Sequence, residues 1–198
     1  ITMIKRVLLF TCVCMLAVLS TSAQTFRNKL FPSNEISGEE FKKQAINKIQ
    51  SLQNYLEVLV KNDQNTSKTA KNAAVENAVR LFSDENRIVE VNSISRPKPR
   101  KLKVRQYLVR IAFLSEKVYD KVTIRFYDVF FISNFKKRPD GKYEAVVSMS
   151  QKFTGEGDRP YSDVVQKNIQ IILVPIQKPE GTYYEVKLGD ISITDNNI

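Results

Sequence analysis

Two hydrophobic periods divide this chain, and one gives way to the other just after Glu116. Before that point, apolar residues recur every three or four positions in three segments, which predicts three amphipathic helices. After it, apolar and polar residues alternate, which predicts long strands. Helices followed by strands favour an α+β domain with the helices on one face of a sheet.

The three predicted helices cover 38–59, 68–83 and 101–114. Ser37 is the predicted N-cap of the first helix, and Glu39 and Glu40 lie in its first turn, where negative charge is favourable. Alanines in the second helix predict close packing against the first. Pro97 and Pro99 predict a loop before the third helix, because proline interrupts both helix and sheet.

The predicted sheet has one short strand and four long ones, over 88–91, 122–132, 143–153, 165–173 and 184–193. Residues 139–141 read Pro-Asp-Gly and predict a turn, and Pro175 is expected to end the third long strand. The apolar phase of the last strand changes after Leu188, which predicts a β-bulge at Gly189 and Asp190. The expected fold class is α+β, with three N-terminal helices packed on a strongly curved, mainly antiparallel sheet.

Residues 3–23 have the features of a signal peptide, with Met3 as the expected start. Lys5 and Arg6 precede an apolar run over 7–19, and small residues follow it. The run is shorter than the roughly 20 residues that cross a bilayer as a helix, although a retained anchor stays open as an alternative. We expect a bacterial periplasmic or extracellular protein with a signal peptide at 1–23, an arm at 24–37 and a single domain at 38–198.

Signal cleavage would leave no cysteine, because Cys12 and Cys14 both lie in the apolar run. The chain has no histidine and no tryptophan. The exported part therefore lacks the residues for Ser-His-Asp or Cys-His catalysis and for a zinc site of nitrogen and sulfur ligands. No glycine-rich phosphate loop occurs either. We expect no metal and no cofactor, which leaves carboxylate, lysine and tyrosine chemistry or binding alone.

Three polar residues fall on the inward phase of the predicted strands: Asp128, Gln151 and Lys167. Adjacent strands would bring them to a similar height, and Tyr107 of the third helix joins them as a candidate pocket residue. Asp128 is the candidate general base for a proton transfer on a small apolar ligand. Alternatively, Asp128 and Lys167 pair with each other or remain in solvent, since burying either one unpaired costs several kcal/mol.

A basic patch precedes and enters the third helix, and its members are Arg96, Lys98, Arg100, Lys101, Lys103, Arg105 and Arg110. Such a patch would suit a protein partner or an anionic envelope surface. Tyr107 is its single interleaved aromatic residue, so no nucleic acid is expected. A solvated face balanced by Asp84, Glu85 and Glu90 stays open as the alternative.

The outward phase of the strands is also apolar, with Tyr127, Val129, Phe131 and Val146 on it. Exposed apolar faces of this kind tend to be interfaces. We therefore expect a homodimer that forms through the sheet face.

The order of elements over residues 38–194 resembles the nuclear transport factor 2-like superfamily, a cystatin-like α+β roll. Residues 81–91, Leu-Phe-Ser-Asp-Glu-Asn-Arg-Ile-Val-Glu-Val, look like the passage from its second helix to its first strand. Tyr107 and Leu108 lie where its third helix packs on the sheet. The resemblance implies the roll fold, but it spans isomerases, dehydratases, transport factors and scaffold modules, so it does not assign a function.

Two functions remain for this exported roll. The first is a non-enzymatic binding or assembly module whose partner is unknown. The alternative is a small pocket enzyme, isomerase- or dehydratase-like, that uses Asp128 as its general base.

Overall fold

The computed structural model describes residues 38–62, 66–92 and 98–194. The helices are α1 (Glu39–Val60), α2 (Lys68–Arg80) and α3 (Val104–Lys117). The strands are β1 (Ile88–Val91), β2 (Arg100–Lys103), β3 (Lys121–Phe131), β4 (Lys136–Lys137), β5 (Tyr143–Glu156), β6 (Tyr161–Lys178) and β7 (Gly181–Ile193). The predicted signal peptide, the predicted arm and Arg96 lie outside the described residues. None of the described helices is both long enough and apolar enough to span a membrane.

All seven strands form one curved sheet in the order β2-β1-β7-β6-β5-β3, with β4 beside β5. Neighbouring strands are antiparallel except β1 and β7, which run parallel at the pair Val89–Ile191. The three helices pack on one face, as the predicted α+β class requires. The fold class is therefore confirmed, and β2 and β4 are short strands that the pattern did not predict.

Helix α1 forms the centre of the helical layer because its apolar residues share one stripe. Ala45, Ile49, Leu52 and Leu56 along that stripe are at most 2 % exposed. Burying each large aliphatic side chain contributes about 1.5–3 kcal/mol. The N-cap of α1 is Gly38, which forms no side-chain cap, in place of the predicted Ser37, which lies outside the described residues.

Helix α2 begins where its sequence predicts and packs closely on α1. The Ser67 hydroxyl caps it by accepting a 3.1 Å hydrogen bond from the Ala70 backbone N–H. Ala74 and Ala78 are buried, and their small side chains let the two helices approach. The helix ends at Arg80, three residues before the predicted end.

The third helix begins later than predicted because its first residues are taken by a strand. Arg100–Lys103 forms β2, and Leu102 pairs with Val89 of β1 and is buried. Without β2, strand β1 would present an unpaired edge. Helix α3 then starts at Val104, where the Gln106 side chain accepts a hydrogen bond from the Lys103 N–H.

Strand β3 contains one extra residue that its alternating pattern does not reveal. The pairs Tyr127–Ser150 and Phe130–Ser148 leave two residues of β3 opposite one residue of β5. This is a β-bulge. Asp128 occupies it with a φ of 52°, a left-handed conformation that aspartate tolerates better than most residues.

The bulge reverses the inward phase of β3 from that point on. Val129 and Phe131 pack against the core, whereas Phe130 and Ile132 are exposed. Asp128 is exposed as well. The prediction that Asp128 faces inward is therefore wrong. It assumed a strict alternation of inward and outward residues along β3, and the extra residue of the bulge interrupts that alternation at Asp128.

The bulge predicted in the last strand is present. Ile169 pairs with Ile191 and Ile171 pairs with Leu188. Gly189 and Asp190 of β7 therefore lie opposite the single residue Gln170 of β6. A Cβ on Gly189 would lie 2.9 Å from the Cβ of Gln170, so this position accepts no side chain without movement.

Strand β6 continues through Pro175, although that proline was expected to end it. Pro175 pairs with Tyr184 of β7, but the ladder to β5 has already ended at the pair Tyr143–Leu173. Beyond Leu173, β6 therefore has a neighbour on one side only. A proline is tolerated where one side of a strand is an edge.

The outward face of the sheet is only partly the one predicted. Tyr127 is exposed and Val146 faces outward, whereas the bulge turns Val129 and Phe131 towards the core. Phe130 is half exposed and takes their place on the outer face. Dimerisation through this face stays a prediction.

Candidate functional site

A cavity of about 360 Å³ lies between α3 and the inner face of the sheet. Its wall comes from α3, from the end of β1 and from the inward residues of β5 and β6. The volume falls within the range of small-molecule sites. The cavity is thus the first candidate for a functional site.

Strand register and helical spacing explain which side chains reach the cavity. Gln151 of β5 faces Val165 of β6, and Lys167 follows two residues later on the same phase. On α3, Tyr107 and Leu114 are separated by two turns and lie on one face. The cavity is therefore built by regular secondary structure on both sides.

Lys167 is the most unusual residue of the cavity, because its ammonium group is buried. The residue is 2 % exposed, and its Nζ donates a 2.8 Å hydrogen bond to the backbone carbonyl of Glu90. Burial lowers the pKa of Lys167 from 10.5 to about 8, against the opposing effect of the Glu90 and Asp163 charges. Within the described part of the chain, no carboxylate forms an ion pair with it. A fraction of Lys167 is therefore neutral near physiological pH.

Tyr107 lies beside this amine. Its ring centroid is 5.8 Å from Lys167 Nζ, and the residue is 3 % exposed. Burial raises the pKa of Tyr107 above its ordinary range, and a hydrogen bond with the Gln151 side chain opposes that effect. The hydroxyl therefore stays protonated and can donate a hydrogen bond to a ligand.

The cavity wall carries a second polar group, formed by Tyr161 and Asp163. The Tyr161 hydroxyl donates a 2.9 Å hydrogen bond to Asp163 Oδ2, to which Asn92 Nδ2 donates at 3.5 Å. Burial first, and then the Asp163 carboxylate, raise the pKa of Tyr161 to about 12. The Asp163 carboxylate is therefore held by two neighbouring donors.

The structure brings together three of the four predicted pocket residues. Tyr107, Gln151 and Lys167 line the cavity, and Asp128 lies outside it at the bulge of β3. Asp128 therefore cannot serve as the base of this cavity.

Sequence reasoning missed Tyr161 and Asp163, because both lie in the interval between the strands predicted over 143–153 and 165–173. The structure instead extends β5 and β6 through this region. Both residues share the alternating phase of Lys167, and that phase was the signal that could have found them. Tyr119 and Phe153, which also line the cavity, were not named as candidates either.

Three members of the basic patch contact polar or acidic side chains of the same chain. Lys101 pairs with Glu90 at 3.6 Å, and Lys103 donates to the Asn86 side chain at 2.8 Å. Arg105 forms a bidentate ion pair with Glu76 of α2. Of the patch residues that the structure describes, Arg110 alone lines the cavity.

Lys98 and Arg100, the remaining described members of the patch, are exposed. Glu90, one of the acids expected to balance the patch, is among those that do so. Much of this region is therefore a face in which acids balance the bases.

This chain is a cavity-bearing α+β protein with three helices packed on one curved, mainly antiparallel sheet. It is similar to ActVI-ORFA from Streptomyces coelicolor, with 12 % identity, a TM-score of 0.40 and coverage of 77 % of this chain and 98 % of that one. It is also similar to a candidate scytalone dehydratase from Novosphingobium aromaticivorans, with 12 % identity, a TM-score of 0.35 and coverage of 80 % and 90 %. No family model and no curated protein matches the sequence.

The prediction of a non-enzymatic binding or assembly module is wrong. The fold contains a cavity of the size of a small-molecule site, and a buried amine lies in the wall of that cavity. These findings favour the alternative of a pocket enzyme. The base named in that alternative has to change, because Asp128 lies outside the cavity.

Proposed function

We propose that this chain is a small pocket enzyme of the dehydratase or isomerase type. It would move a proton at a carbon atom next to a carbonyl group of a small, largely apolar substrate. The observation that carries this proposal is the buried Lys167 amine in the cavity wall. An amine with a pKa of about 8 accepts and returns a proton readily near neutral pH.

Tyr107 supplies the complementary group in this mechanism. Neutral Lys167 takes the proton from the carbon, the C–H electron pair forms a carbon–carbon double bond, and the π pair of the carbonyl group moves onto its oxygen. The Tyr107 hydroxyl donates a hydrogen bond to the resulting enolate oxygen. Lys167 and Tyr107 line the same cavity, with Nζ 5.8 Å from the Tyr107 ring centroid, so one substrate can contact both side chains. Where the enolate is conjugated, return of the proton from Lys167 to another carbon completes an isomerisation. Where the next carbon carries a hydroxyl group, the enolate re-forms the carbonyl as that group leaves with the proton from Lys167 as water, which completes a dehydration.

Deuterium exchange tests the proposed proton transfer directly. Acetophenone, indanone and tetralone are incubated with the protein in D₂O, and deuterium at the carbon next to the carbonyl is measured by mass spectrometry. We expect wild type to accelerate exchange of at least one ketone, and Lys167→Met to abolish the acceleration. Lys71→Met is the matched control, because Lys71 is also buried but pairs with Glu116 outside the cavity. Exchange equal to that of buffer, or full exchange in Lys167→Met, would contradict the proposal.

Export is a separate proposal that rests on residues 3–23 alone. Expression of the chain with and without residues 1–23, followed by fractionation of a bacterial host, tests it. Equal recovery of both forms from the cytoplasm would contradict export.

A further inference from the structure

The charged side chains of the cavity are unequal in sign. Lys167 and Arg110 are cationic, whereas Asp163 is the one acid in the described lining. The Asp163 carboxylate already accepts hydrogen bonds from Tyr161 and Asn92. While Lys167 carries its proton, the described lining therefore has more positive charge than its own acid balances.

Arg110 is the available cation. It is exposed, it lines the cavity, and nothing in the described ranges forms an ion pair or hydrogen bond with its guanidinium. Arg105 on the same helix is different, since Glu76 and Glu85 both contact it. An exposed guanidinium at the edge of a cavity marks its mouth and can receive a group from a ligand.

The apolar residues of the cavity wall indicate which kind of ligand body the cavity can hold. Ile111, Leu114 and Phe153 present apolar surface, and Tyr119 packs edge-on against Phe153 with ring centroids 5.9 Å apart. Such a wall fits an apolar body, whose transfer from water is favourable. A ligand that fits both parts has an apolar body and one anionic group.

We propose that the substrates of this cavity are apolar carbonyl compounds with a carboxylate, and that Arg110 binds the carboxylate at the mouth. A guanidinium binds a carboxylate through two parallel hydrogen bonds. Arg110 lies three residues after Tyr107, roughly 4.5 Å along the helix axis, so a ligand held by its carboxylate there extends its apolar body towards Tyr107 and Lys167. This inference rests on the proposed function, because it names the substrate class of the same site.

Titration calorimetry with naphthylacetate and naphthylacetamide tests the inference, since the two compounds share an apolar body and differ in charge. We expect wild type to bind the carboxylate more tightly than the amide. Arg110→Gln should weaken carboxylate binding about tenfold and leave amide binding unchanged. Arg110→Lys should retain part of the preference, because it keeps the charge but loses the bidentate geometry.

Arg105→Gln is the matched control, with the same chemical change on the same helix but outside the cavity. It should leave both affinities unchanged. Equal affinity for the two compounds, binding of neither, or an equal effect of Arg110→Gln and Arg105→Gln would overturn the inference. The ketones of the exchange experiment have no carboxylate, so Lys167-dependent exchange together with no preference for the carboxylate in calorimetry would refute this inference and leave the proposed function standing.

Discussion

Lys167 Nζ donates its hydrogen bond to the backbone carbonyl of Glu90, 77 residues earlier in the chain. The Glu90 side chain is engaged elsewhere: its Oε2 accepts from the Ile193 N–H at 2.9 Å, and its Oε1 lies 3.6 Å from Lys101 Nζ. Because this carboxylate does not pair with Lys167, no ion pair with a residue that the structure describes holds the buried amine in its charged form. The cavity thus contains a titratable amine.

The lowered pKa of Lys167 predicts how stability changes with pH. Between pH 8 and 10.5 the unfolded state keeps the lysine proton that the folded state has lost, so the free energy of unfolding rises with pH there. The rise should be about 3 kcal/mol in total, and below pH 8 the penalty is fully present. Urea unfolding of wild type and Lys167→Met across this range measures it as the difference between the two proteins.

Tyr161 also titrates in this experiment, since its raised pKa lowers the free energy of unfolding as pH increases from 10 to 12. Its contribution is the same in wild type and in Lys167→Met, so it cancels when the two proteins are compared. In Lys71→Met the free energy of unfolding should still rise between pH 8 and 10.5 as in wild type, because Lys71 lies outside the cavity and pairs with Glu116. A difference between wild type and Lys167→Met that does not vary with pH would show that Lys167 is not buried as described.

Substitutions of Asp128 should report on backbone conformation and leave the cavity unaffected. At a φ of 52°, a β-branched side chain is strained, so Asp128→Val should cost about 1–2 kcal/mol. Asp128→Gly should cost less than Asp128→Val, because glycine adopts this conformation freely. Thermal unfolding of the two variants gives this order.

Asp128→Asn should fold and leave deuterium exchange of the ketones unchanged, since Asp128 lies outside the cavity. Loss of exchange in Asp128→Asn with normal stability would return Asp128 to the list of catalytic candidates.

Gly155 determines the position of the Tyr119 ring in the cavity wall. A Cβ on Gly155 would lie 2.6 Å from Tyr119 Cδ1, so Gly155→Ala must displace the ring. We expect a loss of about 1–3 kcal/mol from overpacking and weaker binding of naphthylacetate. In a Tyr119→Leu background the same substitution should cost less, because the ring is absent. Additive effects of the two changes would show that Gly155 does not restrain Tyr119.

Gln53 links α1 to the edge of the sheet. Its Oε1 accepts a 2.7 Å hydrogen bond from the Phe126 backbone N–H, and β3 is an outermost strand. Gln53→Met should cost about 1–3 kcal/mol, because it leaves a partly buried N–H unpaired. Gln50→Met is the matched control, since Gln50 is exposed and bonds only to the Asn54 side chain of its own helix. Equal midpoints of chemical unfolding for the two variants would contradict this role of Gln53.

Local periodicity identified those elements whose own residues determine them. The stripe of α1, the Pro-Asp-Gly turn and the phase change at Gly189 are all visible in sequence, and the structure contains each one. The same alternation placed Gln151 and Lys167 inward, where the cavity has them. These features could be predicted because a side chain's face follows directly from its position in a regular element.

Long-range pairing decided what the sequence left open. Strand β2 exists because β1 needs a partner, and Pro175 stays within β6 because the ladder to β5 ends before it. The bulge of β3 moved Asp128 out of the predicted site. These features depend on hydrogen bonds between backbone groups that are far apart in sequence. A short stretch of sequence does not reveal which distant segment will pair with it.

The sequence alone therefore determined an α+β roll with a lysine and a glutamine on the inner face of the sheet. Only the tertiary structure decided that Lys167 lies beside Tyr107 with no carboxylate partner among the described residues, and that Arg110 lines the cavity. The physical reason is that a residue's charge and reactivity depend on its desolvation and its neighbours. These are established only when α3, β1 and β6 pack together around one cavity.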